Sequence, residues 1–322
     1  MNLLITSAGR RNQLLDCFRR SATQLGIPLR ILTTDIRPGL SSASLAADAS
    51  FAVPSSTSPG YIPALLEICA REKVSLLIPT IDHDLAPLSE SKDKFAAIGT
   101  TVIISSYVAV HVARDKFATI RALGDVGIPV PKSLVLKDYL AEPSKLSGDL
   151  IAKPRAGSSS VGIIFPRAPG DLAGLPPDDY VVQEKWEGQE FTVNVFIDRA
   201  GKLISAIPHL RMQVRSGEVS QGLTVRNTAL SWVAERLTLA LPGLRGPACF
   251  QAIVRPDGSL CVFEVNARFG GGYPLADEAG ARFVTWLLEE QAGLPSSATS
   301  AWEEGVLMLR HDAASFVRTL HS

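Results

Sequence analysis

The residues with the clearest potential for chemistry are Glu264, Asn266 and Arg268, which alternate with apolar residues late in the sequence. In a β-strand this alternation places the three polar side chains on one face, and Phe263 and Val265 on the opposite, buried face. Taken alone, a Glu-x-Asn-x-Arg pattern is more typical of a solvated strand face than of a reactive site. Its interpretation therefore depends on the segments that would surround it.

A preceding strand supplies a further oxygen ligand. Pro-Asp-Gly at 256–258 joins two apolar, alternating runs, and Asp-Gly at such a place predicts a β-hairpin. Gln251 would then lie across the hairpin from Glu264 and Asn266. One carboxylate and two side-chain amides form a set of hard ligands that suits Mg²⁺ or Mn²⁺ shared with substrate phosphates. Arg268 could then stabilise charge on a transferred phosphoryl group.

A lysine and a loop of small residues occur upstream of the hairpin. Lys153 ends an apolar strand, and Gly157, Ser158 and Ser159 follow it. Gly and Ser let backbone N–H groups approach phosphates, and the lysine adds a positive charge. A Gly/Ser hairpin without a function is also common. The loop is not a Walker A loop, because no Gly-Lys-Ser/Thr follows the glycine.

A charged segment lies between these two regions. Residues 184–187 end a predicted strand, the chain turns at Gly188, and a new alternating strand starts at Glu190. Exposed backbone in such a hinge could pair with the edge of an adenine ring, and Glu190 could accept ribose hydroxyls. The same segment could equally be an ordinary charged turn.

The order of these features resembles the ATP-grasp superfamily, and within it the carbamoyl-phosphate-synthase-like carboxylate–amine ligases. The order of motifs begins with Lys116, on a predicted helix over 116–126. The resemblance covers essentially the whole chain, because the N-terminal third looks like the Rossmann-like domain that precedes the grasp. It implies an α/β protein with an N-terminal Rossmann-like (pre-ATP-grasp) parallel domain, a small α+β lid and a central antiparallel-sheet domain.

The resemblance also implies a role for each candidate residue. ATP would be bound by Lys116 and Lys153 at the α- and β-phosphates, by the loop of Gly157, Ser158 and Ser159, by Glu184, Lys185, Trp186 and Glu187 around the adenine, and by Glu190 at the ribose. Gln251, Glu264 and Asn266 would hold magnesium, and Arg268 would contact the transferred phosphate or acyl phosphate. Arg215 is a second catalytic candidate, and a surface ion pair with Glu218 explains it equally well.

The N-terminal third independently predicts a parallel sheet covered by helices. Helical patterns at 12–25 and 61–72 alternate with apolar strands predicted at 3–5, 29–33, 75–79 and 101–104. The turn at Gly9 could bind an anion at the start of a helix, but the dinucleotide fingerprint G-x-G-x-x-G is missing. Residues 82–84, Asp-His-Asp, could contact an acceptor substrate, although a helix cap is the favoured interpretation.

Length and the change in motifs predict two domains, at 1–112 and 113–322. Within the second, the lid would span about 133–182 and the central and C-terminal lobe about 183–322. ATP would bind between the lid, which carries Lys153, and the central sheet, which carries Glu264.

Composition limits the partners and the compartment. The 32 basic and 32 acidic residues are dispersed and cancel, so neither a nucleic-acid nor a membrane surface is indicated. The four cysteines lack C-x-x-C spacing and lie in apolar segments, as buried thiols in a reducing compartment would. No apolar run approaches about 20 residues. We therefore expect a cytoplasmic enzyme with small-molecule substrates, and a homodimer is compatible with the resemblance.

We expect an ATP-dependent ligase that joins a carboxylate to an amine through an acyl phosphate, with an amino acid as the acyl donor favoured by the resemblance. The alternatives are a phosphotransferase or carboxylase acting on a small-molecule acceptor, and a catalytically silent nucleotide-binding module. A silent module would be expected to lack Glu264, Asn266 or Arg268. The glycines at 270–272 allow an acceptor to approach the backbone, or only a tight turn.

Overall fold

A computed structural model describes residues 1–157 and 161–317 of the chain, which forms two compact units. The first unit contains residues 1–104, 282–298 and the described residues from 308 onward, and the second contains 105–281 and 299–307. The domain limits expected from the sequence, at 1–112 and 113–322, stay predictions. Ser158 and Ser159 of the expected phosphate loop lie outside the described residues.

The first unit is built on a parallel sheet with the strand order β3-β2-β1-β4-β5. Its strands are β1 (Asn2–Thr6), β2 (Arg30–Asp35), β3 (Ala49–Ala52), β4 (Leu76–Pro79) and β5 (Thr101–Val102). The helices between them are α1 (Asn12–Leu25), α2 (Ser42–Ala46), α3 (Tyr61–Arg71), α4 (Asp82–Glu90) and α5 (Lys92–Ala97). The predicted alternation of parallel strands and helices is confirmed, and β3 is a strand that the sequence did not predict.

Burial explains why the central strands are continuously apolar. Residues 3–6 of β1 and 76–78 of β4 are buried without alternation, as expected of a parallel sheet covered on both faces. Helix α1 has the predicted bounds and buries Leu14, Leu15 and Phe18. It ends at Gly26, whose φ of 66° is the left-handed conformation that glycine adopts without a Cβ clash.

The aspartates at 82–84 do not cap helix α4. Ile81 precedes the helix without a side-chain cap, and Asp84 is fully buried inside the first turn. Its carboxylate accepts hydrogen bonds from Thr6 Oγ1 at 2.7 Å and from Ser7 Oγ at 3.1 Å. The capping interpretation is therefore wrong for Asp84, which instead ties the end of β1 to α4. Burial raises the pKa of this carboxyl above its usual value, although the hydroxyl donors lower it.

The second unit begins with two helices and a small sheet. The helices are α6 (Tyr107–Arg114) and α7 (Lys116–Asp125), and the sheet has the order β6-β8-β7. Its strands are β6 (Ser133–Val135), β7 (Leu150–Pro154) and β8 (Tyr180–Glu184), with α8 (Leu136–Ala141) after β6. A separate apolar core formed by Leu136, Tyr139, Leu146, Ala152, Leu172 and Val182 holds this α+β lid together.

The larger sheet of the second unit has the order β13-β12-β9-β10-β11-β14. Its pairs β13–β12, β12–β9, β9–β10 and β10–β11 are antiparallel. Its strands are β9 (Gln189–Ile197), β10 (Leu203–Arg215), β11 (Glu218–Thr224), β12 (Gly246–Val254), β13 (Leu260–Asn266) and β14 (Leu307–Leu309). The remaining helices of this unit are α9 (Thr228–Ala240) and α10 (Tyr273–Glu278). The fold class predicted from the sequence is confirmed.

Helix α11 (Phe283–Ala292) belongs to the first unit. It packs on α1, where Thr285 Oγ1 donates a hydrogen bond to Ser21 Oγ at 2.9 Å. In the described parts of the chain, no helix combines the length and apolar character needed to cross a membrane. Cys17, Cys69, Cys249 and Cys261 are buried and form no disulfide, as their apolar contexts predict.

Candidate active site

The predicted hairpin at the polar run is confirmed as β12 and β13. Gln251 pairs with Glu264, and Cys249 pairs with Asn266, so the glutamine lies directly across from the carboxylate. Side chains of directly opposite residues share one face of an antiparallel pair. The two strands therefore bring the two amides and the carboxylate of the expected ligand set to the same surface.

A β-bulge changes one orientation that strict alternation predicts. Gln251 pairs with Glu264 but Ala252 pairs with Val262, which leaves Phe263 as the extra residue. A bulge breaks the period of two and re-aims the side chains beside it. Phe263 is only half-buried, and its ring centroid lies 4.9 Å from Lys153 Nζ. Its predicted place on the buried face is therefore wrong.

The polar side chains of β13 form a hydrogen-bonded chain. Asn266 Nδ2 donates to Glu264 Oε1 at 3.3 Å, and Arg268 Nη2 donates to Asn266 Oδ1 at 3.0 Å. Arg268 Nη1 also donates to the carbonyl oxygen of Phe269 at 3.1 Å. These bonds fix the guanidinium beside the amide and the carboxylate, so the arginine is oriented without a substrate.

Lys153, on β7, is electrostatically coupled to this surface. Burial lowers the pKa of its ammonium below the usual lysine value, the Glu264 carboxylate raises it, and the Lys116 charge lowers it further. Glu190 also raises this pKa. One further lysine and two carboxylates, from three other elements, therefore act on the Lys153 ammonium. We call Lys116, Lys153, Glu190 and Glu264 the charged cluster.

The oxygen ligands beside the charged cluster fit magnesium. A carboxylate and two amides are hard donors, and Mg²⁺ is typically held by one or two carboxylates together with waters and substrate phosphates. No group of three His, Cys, Asp or Glu side chains in the described ranges is arranged to hold a metal ion. Any magnesium at Glu264 would thus depend on Gln251, Asn266 and phosphate oxygens rather than on a complete protein cage.

Lys116 is positioned by Asp115, which the sequence reading missed. Asp115 caps α7 by accepting hydrogen bonds from the N–H groups of Phe117 and Ala118. Its other carboxylate oxygen forms an ion pair with Arg155 Nη2 at 2.5 Å. Lys116 Nζ then donates to the carbonyl oxygen of Gly157 at 2.7 Å. The signal for Asp115 was present in the sequence, since Asp immediately before a helix is a preferred N-cap.

Replacing Asp115 by alanine is expected to destabilise the second unit by about 1 kcal/mol, the usual contribution of an N-cap. If the same free energy is lost from the binding of ATP by Lys116, the affinity for ATP falls about fivefold. Burial would raise the pKa of Asp115, but Arg155 and the helix N–H groups lower it below its usual value. Its stabilisation is therefore present at neutral pH and is lost as pH falls through the lowered pKa.

Urea unfolding at neutral and acidic pH checks this expectation. The difference between Asp115→Ala and wild type should shrink below about pH 4, where the carboxylate is protonated in the unfolded chain. Asp125→Asn, at the exposed end of the same helix, should stay within about 0.5 kcal/mol of wild type. Equal unfolding of Asp115→Ala and wild type at pH 7 would contradict the capping role.

The expected adenine hinge has a defined geometry. Glu184 accepts hydrogen bonds from the N–H and hydroxyl of Ser147, both at 3.3 Å. Lys185 Nζ forms an exposed ion pair with Glu187 Oε1 at 2.8 Å. The guanidinium carbon of Arg255 lies 3.9 Å from the ring centroid of Trp186. Arg255 follows β12, so a cation–π contact connects the hinge to the central sheet.

Gly188 is required at the turn after the hinge. Its φ is 155°, and a Cβ atom there would lie 2.5 Å from the carbonyl oxygen of Val254. A side chain would therefore push β9 away from β12. The turn that the sequence predicts at Gly188 is confirmed, and its glycine keeps the hinge against the sheet.

Glu190 is held by an arginine that the sequence reading did not select. Arg211 Nε lies 3.0 Å from Glu190 Oε1, and the arginine side chain is only 7% exposed. Arg211 also donates to Thr192 Oγ1 and to the carbonyl oxygen of Gly217, both at 3.1 Å. The available signal was an arginine inside a strand whose preceding residues, 207–209, are all buried. Burial with several partners makes it a fixed part of the charged cluster's surroundings.

Arg215, the second catalytic candidate, lies at the exposed tip of the β10–β11 hairpin. It is directly opposite Glu218 in the pairing of the two strands. That place is compatible with the surface ion pair considered from the sequence. A catalytic role for Arg215 stays a prediction.

The glycines after β13 pack tightly against buried polar side chains. A Cβ at Gly270 would lie 3.0 Å from Cys249 Sγ, and one at Gly272 would lie 2.7 Å from His209 Nε2. His209 is fully buried, and its Nδ1 lies 3.3 Å from Asn194 Nδ2. Close packing alone is therefore a sufficient reason for glycine at these two positions.

Comparison with known proteins identifies the family. A family model described as an ATP-grasp domain matches residues 113–272, and one described as a PylC-like N-terminal domain matches residues 3–103. The chain belongs to the ATP-grasp superfamily. It is an ATP-binding enzyme of this superfamily, as the sequence predicts. No curated protein matches the chain in sequence.

Solved structures with a similar fold come from several bacteria. The complex of Campylobacter jejuni biotin carboxylase with β,γ-ATP has a TM-score of 0.74 at 15% identity, over 94% of this chain and 73% of that one. Thermotoga maritima N5-carboxyaminoimidazole ribonucleotide synthetase has a TM-score of 0.66 at 17% identity, over 93% and 78%. Bacillus licheniformis L-amino acid ligase has a TM-score of 0.67 at 19% identity, over 92% and 75%. These TM-scores establish that this ATP-grasp protein shares its fold with the three enzymes.

Proposed function

We propose that this ATP-grasp protein joins a small-molecule carboxylate to an amine, forming an amide or peptide-like bond with release of ADP and phosphate. The observation that carries the proposal is the charged cluster. The pKa of Lys153, on the lid sheet, is raised by Glu264 on the central sheet and lowered by Lys116 on α7. Such a meeting of cations and hard oxygen ligands suits a triphosphate and a phosphoryl transfer.

The proposed reaction has two steps. A carboxylate oxygen attacks the γ-phosphorus of ATP, the bond to the bridging oxygen breaks, and ADP leaves. The product is an acyl phosphate. The amine nitrogen then attacks the acyl carbon, the carbon–oxygen bond to phosphate breaks, and the nitrogen loses a proton. An amino acid is the proposed acyl donor, with L-amino acid ligase among the proteins of similar fold.

Each residue of the charged cluster has a proposed role. Lys116 and Lys153 bind phosphate oxygens and offset their charge. A cation–π contact with the Phe263 ring holds the Lys153 ammonium in place. Arg268, fixed by Asn266 and by the Phe269 carbonyl group, stabilises the acyl phosphate. Because its orientation is set beforehand, little reorganisation is needed during the reaction.

Gln251, Glu264 and Asn266 would hold magnesium, which when bound neutralises charge on the phosphate oxygens. Glu184, Lys185, Trp186 and Glu187 frame the adenine in this proposal, and Gly157 belongs to the phosphate loop. Glu190 accepts the ribose hydroxyls, and Arg211 is a positioning residue that orients its carboxylate. A homodimeric state and a cytoplasmic location complete the proposal.

Arg211→Gln is expected to raise the KM for ATP by about 10-fold, the lower end of the range for residues that orient metal ligands. The change removes the ion pair with Glu190 and leaves kcat less affected, because the arginine acts through the ribose contact. Arg215→Gln, at the exposed hairpin tip, should change both constants little. Steady-state ADP formation measures both variants. A larger effect at Arg215 than at Arg211 would contradict this assignment and support a catalytic role for Arg215.

The function is tested by measuring ADP and phosphate release from magnesium-ATP. The full chain is incubated with pooled carboxylates, bicarbonate among them, with and without pooled amines, and active mixtures are analysed by mass spectrometry. We expect phosphate release that requires both pools, together with a condensed product. Release that requires bicarbonate would indicate a carboxylase, and ADP without free phosphate would indicate a phosphotransferase. ATP binding without turnover in any mixture would support a silent module.

A further inference from the structure

A pocket outside the charged cluster occurs in the second unit. Its volume is about 620 Å³, and it is lined by the start of β10 with the residues just before it, by the first turns and one face of α9, and by Ser300 and Trp302. We propose that this β10–α9 pocket binds a small zwitterion, an α-amino acid or a short peptide. The inference goes beyond the proposed ligase reaction, because it concerns a second ligand site.

Opposite charges line the pocket. Ser231, Glu235 and Thr238 are spaced at i, i+4 and i+7 on α9, so their side chains share one helix face. Lys202 is contributed by the segment that leads into β10. Within residues 1–157 and 161–317, neither the Lys202 ammonium nor the Glu235 carboxylate takes part in an ion pair or a side-chain hydrogen bond. A ligand that carries both an anionic and a cationic group complements this pair.

A buried hydroxyl supports a polar ligand in the same pocket. Ser205 is a lining residue with only 2% of its surface exposed, and its Oγ has no hydrogen-bond partner among the described residues. Buried hydroxyls are normally hydrogen-bonded, and each exception calls for an explanation. A serine hydroxyl moves between three staggered positions, so it can turn toward a ligand group.

The remaining lining favours an α-substituent that is at least partly apolar. Leu203, Ile204 and Ala206 contribute aliphatic surface from β10. Trp302 contributes an aromatic wall, with the guanidinium carbon of Arg226 at 4.4 Å from its ring centroid. Arg226 Nη2 also donates to the Trp302 carbonyl oxygen at 2.8 Å, which fixes the segment. Apolar walls with a few placed polar groups are typical of small-molecule sites.

The β10–α9 pocket is separate from the ATP site. It shares no residue with the charged cluster or its ligand set. Ser205 and Arg211 are six residues apart on β10, which corresponds to about 20 Å along a strand. A zwitterion in the pocket is therefore not positioned to react at the phosphates, and the site would hold an effector or a second copy of a substrate-like molecule.

Isothermal titration calorimetry on the full chain without ATP tests the proposal. The probes are the standard α-amino acids and a set of alanyl dipeptides. We expect at least one probe to bind, and Glu235→Gln and Lys202→Gln each to weaken this binding at least tenfold. Asp125→Asn, an exposed change elsewhere in the second unit, should leave it unchanged. Thermal unfolding verifies that the variants are folded.

Derivatives of the best probe separate the two charges. Its N-acetyl form lacks the cation and its amide form lacks the carboxylate, and both should bind at least tenfold more weakly. The proposal is overturned if no probe binds or if neither pocket variant weakens binding. It is also overturned if Lys153→Met alone weakens binding, because the probe would then be bound at the ATP site. Because ATP is absent, these outcomes do not depend on whether the ligase reaction occurs.

Discussion

Replacing Glu264 by glutamine is expected to lower the rate of ADP formation by on the order of 1,000-fold, the upper range for removing one preorganised charge-stabilising group. The change keeps the size of the side chain but removes the single carboxylate of the proposed Gln251, Glu264 and Asn266 ligand set. It also removes the carboxylate that most strongly favours the charged form of Lys153. The measurement is ADP release at saturating ATP and magnesium.

Glu142→Gln provides the matched control for this variant. It makes the same chemical change in the second unit at an exposed ion pair with Lys145, where little effect on activity is expected. Thermal unfolding of both variants should match wild type, because Glu264 is half-buried at a polar surface. ADP formation by Glu264→Gln within tenfold of wild type would refute its assignment to the metal.

The pH dependence of ATP binding gives a second readout of the same change. Burial already lowers the pKa of the Lys153 ammonium, so its charge is lost at lower pH than that of an exposed lysine. ATP affinity should therefore fall as pH rises through this lowered pKa. In Glu264→Gln the pKa should be lower still, and the alkaline loss of affinity should begin at lower pH than in wild type.

Local patterns were sufficient to predict the parallel first domain, the hairpin of β12 and β13 and the order of the site segments, and that order carried the resemblance that implied the rest of the fold. The alternation over 263–268, the Asp-Gly turn and the apolar strand before Lys153 are all read within short windows of sequence. The alternating strands and helices of the first 104 residues are read in the same way. These features predict a parallel domain and a later antiparallel hairpin, because each element carries its own periodicity. The lid and the full antiparallel sheet were implied by the resemblance.

Contacts between distant residues could not be read from such windows. Asp115 and Arg155 are separated by 40 positions, Glu190 and Arg211 by 21, and Thr6 and Asp84 by 78. Each pair is brought together only when the sheets assemble. The bulge at Phe263 was missed for a related reason, since it depends on the register of the partner strand β12. Sequence reasoning thus identified candidate ligands but not the side chains that orient them.

Gly272→Ala is expected to destabilise the second unit by about 2 kcal/mol, within the range for overpacking a filled core. The new Cβ would lie 2.7 Å from His209 Nε2 and 2.8 Å from Cε1, and His209 is fully buried. The loop must therefore shift, and it follows Phe269, whose carbonyl group orients Arg268. Reduced activity should accompany a lower urea midpoint. Gly170→Ala, where no atom lies within 4 Å of the new Cβ, is the steric control. An unchanged urea midpoint for Gly272→Ala would show that the His209 contact relaxes freely, and that the loop does not depend on close packing to aim Arg268.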